Sequence, residues 1–98
     1  MKDWFDLEAE AARIYDELKH YPATKDLEES DKSEWLISFD DEEQDLTYID
    51  DELRALGYDK VDESEDSDNY IIKYESEDFR AWVYEGIEDE VVSLYITF

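Results

Sequence analysis

The sequence predicts an α+β domain, with two helices packed on a four- to five-stranded, mainly antiparallel sheet. Three observations predict it. Apolar residues recur at the helical period in two stretches, residues 3–20 and 42–56. Further stretches alternate or run apolar at strand length, and most of them lie in the C-terminal half. The connections between them are short, which favours antiparallel pairing in a meander. The expected order is α-β-α-β-β-β-β, in two layers and one domain over residues 1–98.

The first helix is expected over residues 3–20. Leu7, Ala11, Ile14, Leu18 and Tyr21 form one stripe, which Trp4 and Tyr15 widen. Asp3 and Asp6 suit the positive end of the helix dipole, Lys19 and His20 suit the negative end, and Pro22 stops the helix. Residues 23–33 are polar and without a period, and are expected to be loop. Trp35, Ile37 and Phe39 then share one face of a strand. Asp40-Asp41-Glu42-Glu43 offers a cap and a negative first turn to the second helix, over 42–56. That helix carries Leu46, Ile49, Leu53 and Leu56 on one stripe and ends at Gly57.

Strands are expected to follow to the end of the chain. Tyr58 to Val61 is a short one, and Asp62 to Asn69 reads as a solvated turn. Tyr70 to Glu75 sets Tyr70, Ile72 and Tyr74 against Ile71, Lys73 and Glu75. Phe79 to Glu85 sets Phe79, Ala81 and Val83 against Arg80, Trp82 and Tyr84. Residues 86–89 turn the chain. Val91 to Phe98 is apolar on both faces, which suits an interior strand.

Charge dominates the composition. Lys and Arg number 9 and Asp and Glu number 32, a formal net charge of −23. Such a surface repels nucleic acid and anionic membranes, so neither is expected as a direct partner. A mean hydropathy of −0.81 with this charge borders on disorder. Aromatic residues at 15% and apolar residues at 42%, patterned as above, argue for a fold. No cysteine is present, so disulfides, thiol nucleophiles and Cys-based zinc sites are excluded. No apolar run approaches the ~20 residues of a membrane span. Residues 1–6 lack the basic start and apolar core of a signal peptide. A cytoplasmic protein is expected.

The inventory for catalysis is thin. His20 is the one histidine, and a triad or a His-based metal site needs partners placed by the fold. With Gly57 and Gly86 as the two glycines, there is no phosphate-binding glycine loop. Read from Asp62 as a calcium loop, the chain has Ser67 where glycine belongs and Lys73 where the bidentate Glu belongs. Carboxylate pairs for glycoside hydrolysis carry no signal among 32 candidates. The chain is expected to be no enzyme, with no metal and no cofactor.

The charge itself is then the motif. Carboxylates at i, i+3 and i+4 on a helix lie about 5–6 Å apart, and at alternate strand positions about 6.5–7 Å apart. DNA carries a phosphate charge about every 1.7 Å of axis over both strands. A small domain covered with carboxylates presents a comparable array to a basic DNA-binding cleft. A net charge of about 2–8 in magnitude already keeps a small domain soluble, so solubility alone does not account for −23. Adaptation to high salt is disfavoured, because Lys outnumbers Arg and large apolar residues are plentiful. An immunity protein that neutralises a basic nuclease toxin uses the same electrostatics and stays as an alternative, as does mimicry aimed at a restriction or CRISPR system.

One stretch carries a resemblance. Glu34 opens Trp35-Leu36-Ile37, and Glu42 and Asp45 follow eight and eleven positions later. That spacing, with the order helix, strand, acidic turn, helix and strands, resembles the phage-encoded uracil-DNA glycosylase inhibitors. These are small acidic proteins that mimic DNA and block the host repair enzyme. The match spans nearly the whole chain as topology, and residues 34–46 as sequence. Trp35, Glu43 and Asp40 depart from the family's small polar residue, apolar pocket residue and proline. The resemblance implies a bacterial host cytoplasm and a partner with a basic cleft. It implies that Glu34, Glu42 and Asp45, with Asp41 beside them, take the place of phosphates. It also implies an apolar pocket by the second helix, walled by Leu46, Ile49 and Leu53, that captures a side chain of the enzyme. A monomer is expected. Trp82 and Tyr84 beside Arg80 offer a second contact patch or a dimer surface if the helices leave that face uncovered.

Overall fold

The computed structural model describes residues 3–31, 33–39, 46–87 and 92–98. Helix α1 spans Trp4–Leu18. Asp3 caps it: its Oδ1 accepts from the Asp6 amide at 3.1 Å, and its own amide donates to Asp6 Oδ2 at 3.0 Å. This reciprocal box satisfies two amides that a bare helix start leaves unpaired. Leu7, Ala11, Ile14 and Leu18 are the buried stripe. Helix α2 spans Leu46–Ala55, with Ile49 and Leu53 buried. The acidic turn at 40–43 and the expected start of this helix at 42–45 lie outside the described residues.

Helix α2 ends as its sequence suggests. Gly57 has φ +100°, and no atom lies within 4 Å of where a Cβ would stand, so its backbone conformation alone calls for glycine. The Gly57 amide donates to Arg54 O at 3.1 Å and the Tyr58 amide to Leu53 O at 2.9 Å. These are the two bonds of a Schellman cap, and Tyr58 and Leu53 both lie in the core.

Six strands form one antiparallel sheet: β1 Thr24–Asp31, β2 Glu34–Phe39, β3 Asp59–Glu65, β4 Asn69–Glu75, β5 Arg80–Gly86 and β6 Val92–Thr97. Their order is β1-β2-β6-β5-β4-β3. β3 to β6 form the expected meander, and β6 closes onto β2 with Ile37 opposite Leu94. The doubly apolar C-terminal strand is interior, as predicted.

The architecture is the expected α+β, with six strands instead of four or five. The extra strand is β1, in the segment expected to be loop. β3 likewise runs on through Asp62–Glu65, expected to be turn. Both segments are sheet edges. Leu27 is the one apolar side chain of β1 that packs against the core, and every residue of β3 is exposed. Backbone bonds to β2 and β4 hold these strands, and such bonds leave no mark on hydropathy.

Both helices cover the same face of the sheet. Ile37, Phe39, Ile72, Tyr74, Ala81, Val83, Leu94 and Ile96 point into that layer and join the helix stripes in one core. α1 lies over β1, β2 and β6, while α2 packs on α1 and beside β3. The radius of gyration is 12.6 Å, against about 13 Å for a folded chain of this length and about 30 Å for an unfolded one. No helix among the described residues is long and apolar enough to cross a membrane.

Two matching polar clasps tie the helices to the strands. Tyr58 donates its phenol to Glu10 Oε2 at 2.6 Å, and Arg13 grips the same carboxylate at 2.8 and 2.7 Å. Tyr74 donates to Asp50 Oδ1 at 2.8 Å, and Arg54 pairs with Asp50 at 2.9 Å. Burial, and then the bond to the carboxylate, push both phenols well above the ordinary tyrosine range. A raised folded pKa means that each clasp contributes its full stability below about pH 10 and loses it as pH rises beyond. Tyr58 and Tyr74 are therefore expected to ionise only as the chain unfolds, at a pH above the ordinary tyrosine range. A phenolate absorbance titration alongside circular dichroism checks this. All 8 tyrosines ionising in one gradual step with the fold intact would contradict it.

Candidate functional site

Among the described residues the second face of the sheet carries no helix. Strand alternation turns Glu34 and Leu36 of β2, Tyr95 and Ser93 of β6, and Trp82 and Tyr84 of β5 onto it. A concavity of about 470 Å³ lies in this face. Trp82, Tyr84 and Tyr95 supply its aromatic walls, and Glu34, Ser93, Thr97 and Asn69 its polar groups. Tyr84 and Tyr95 meet edge to face, with ring centres 5.4 Å apart. Lys73 stands 4.9 Å from the centre of the Trp82 ring, a cation–π contact that marks the ring as attractive to positive charge. Tyr95 and Trp82 face each other across β6 and β5, and Lys73 follows on β4.

This face lies between two acidic edges. β1 carries Glu28 on this face and Glu29 on the helix side, and β3 carries Asp59 and Asp62 on this face and Glu63 and Glu65 on the helix side. Among the described residues Asp26, Glu28, Glu29, Asp59, Asp62 and Glu65 make no ion pair, whereas Glu63 is held by Lys60. The Lys60 ammonium, with the Tyr70 hydroxyl, keeps the Glu63 carboxyl below the usual range. Charged edges also prevent edge-to-edge strand pairing, so these carboxylates have a structural use whatever else they bind.

The residues singled out in the sequence are split by the sheet. Glu34 opens β2 on the uncovered face, where its Oε1 accepts from the Ser30 hydroxyl at 3.0 Å. Among the described residues it pairs with no lysine or arginine. Ile49 and Leu53 lie on the opposite side, fully buried in the core, and Leu46 packs against that core half-buried. Ile49 and Leu53 therefore do not wall an open pocket: α2 is short, its single stripe closes onto α1 and the sheet, and nothing of either side chain reaches the surface. Asp41, Glu42 and Asp45 lie outside the described residues.

Among the described residues no helix covers the face with Trp82 and Tyr84. Tyr95, Ser93 and Thr97 were missed as site residues. The signal was present, because a strand apolar on both faces with a tyrosine on the outer one implies an aromatic surface on both sides of the sheet. Among the described residues no group of three His, Asp or Glu is arranged to hold a metal ion. The chain matches no protein-family model, no curated protein and no solved structure.

Proposed function

We propose that this chain is a non-catalytic DNA mimic that inhibits a DNA-binding protein in the cytoplasm of a bacterial host by occupying its basic cleft. One observation carries the reading: the aromatic floor of the open face is flanked on its edge strands by Glu28 of β1 and by Asp59 and Asp62 of β3. A duplex presents the same sequence of charge, with phosphate ridges flanking the base edges of a groove. A net charge of −23 steers such a surface into a basic cleft at high rate. The resemblance around Glu34 makes a uracil-DNA glycosylase the first target.

The direct test is inhibition of purified glycosylase on uracil-containing DNA. Inhibition at micromolar protein in low salt is expected, and its absence sinks that target. Capture from bacterial lysate then separates a restriction or CRISPR component from a nuclease. Neutralising the two β3 carboxylates of the open face, in the Asp59→Asn, Asp62→Asn variant, is expected to weaken binding several-fold and to flatten its salt dependence. The fold is expected to hold or gain stability, because those side chains are exposed and lie among like charges. An unchanged salt slope would move the contact away from β3.

A further inference from the structure

We propose that the concavity on the uncovered sheet face seats an arginine side chain of the basic partner. The inference rests on the proposed function for the partner's charge, but it names a separate site and a specific contact. Three features select a guanidinium. Trp82, Tyr84 and Tyr95 offer aromatic walls, on which a planar cation stacks well. Glu34 lines the same concavity, half-buried and without a cationic partner among the described residues. Ser93, Thr97 and Asn69 line it too, residue types whose oxygens can accept from the five guanidinium N–H donors.

The cations already on this face do not fill the site. Lys73 holds to the Trp82 ring and is not part of the lining, and Arg80 reaches Glu75 at 3.4 Å. A second copy of this chain is the wrong occupant, because it brings another −23 against the same acidic edges. An apolar side chain would bury Glu34 beside it unpaired, which is costly. Arginine satisfies the rings and the carboxylate together.

The probe is a blocked Gly-Arg-Gly peptide, with its lysine and citrulline counterparts, titrated into the full chain in low salt and followed by amide NMR. The arginine peptide is expected to shift the Trp82 indole N–H and the backbone of Trp82, Ser93, Tyr95 and Thr97. Citrulline, which keeps the shape and loses the charge, is expected to shift none of them, and lysine to bind several-fold more weakly. Glu34→Gln is expected to lower affinity about tenfold, the size of one charge-assisted contact. Glu28→Gln, on the edge strand, is expected to stay within about twofold, as only screened surface charge is lost. The same spectra report whether each variant is folded.

Shifts confined to β1 and β3, or equal response to lysine and arginine, would overturn the proposal. So would concentration-dependent shifts of this face without peptide, which indicate self-association. The outcomes are separable from the inhibition assay. A glycosylase left active while the arginine peptide seats overturns the target and leaves the site standing; inhibition that survives Glu34→Gln in a chain that no longer seats the peptide overturns the site alone.

Discussion

Raising sodium chloride from about 0.01 M to about 1 M is expected to raise the melting temperature by about 10 °C or more. The reason is the imbalance of 32 carboxylates against 9 cations in a body of 12.6 Å radius of gyration. In dilute salt the Debye length is about 30 Å, so nearly every carboxylate repels every other; in concentrated salt it is about 3 Å, and only neighbours interact. Unfolding separates the charges, so repulsion acts on the folded state most. Salt also weakens attraction. Among the described residues the pairs at stake include Arg13–Glu10, Lys19–Asp16, Arg54–Asp50 and Lys60–Glu63, each three or four residues apart in sequence, and Arg80–Glu75 and Lys73–Glu75 on the sheet. Pairs exposed at the surface contribute about 0–1 kcal/mol each, too little to reverse the sign. Melting followed by circular dichroism across the salt series checks this, and a flat or falling melting temperature contradicts it. Partner binding moves the other way. If the edge-strand carboxylates stand in for phosphates, the salt that steadies the fold weakens the complex.

Leu53→Ala is expected to cost about 2–5 kcal/mol, a large share of the roughly 5–15 kcal/mol that holds an ordinary domain together. Leu53 has no exposed surface. It packs in the core between α2 and the sheet, and its carbonyl accepts the Tyr58 amide that closes the helix. Removing its side chain opens a cavity beside that cap. In dilute salt, where repulsion already weakens the fold, most of the variant is expected to be unfolded, with partial recovery in concentrated salt. Urea unfolding at both salt concentrations measures the difference. Leu46→Ala, at a half-buried position, is expected to cost less. The comparison also separates core from interface. A Leu53 that walled an open partner pocket would lose affinity on substitution and leave stability nearly unchanged.

Much of the fold was legible because it is written in periodicity. Leu7, Ala11, Ile14 and Leu18 repeat at the helical spacing and are the residues α1 buries. The alternation along β4 and β5 marked Ile72, Tyr74, Ala81 and Val83 as core. Gly57 after an apolar stripe foretold the cap. The parts that were not legible share one cause. Thr24–Asp31 and Asp62–Glu65 are strands at the sheet edges, held by backbone pairing and bearing side chains that suit a loop equally well. The candidate site divided in the same way. Glu34 and the stripe of α2 are neighbours in sequence logic, yet alternation along β2 sends Glu34 to one side of the sheet, while α2 packs on the other.

The sequence by itself determined the sign and size of the charge, the single histidine and the lack of cysteine, and the two helices with their buried stripes. These are local properties, set by residue type and by spacing within a single element. The tertiary structure decided which strands became edges, and therefore that Glu28, Asp59 and Asp62 flank the same face. It also decided that both helices cover one face, which leaves Trp82, Tyr84, Tyr95 and Glu34 together on the other. Those outcomes depend on strand order, a long-range choice in which β6 inserts between β2 and β5. Hydropathy along the chain records which side chains avoid water; it does not record which backbones find each other.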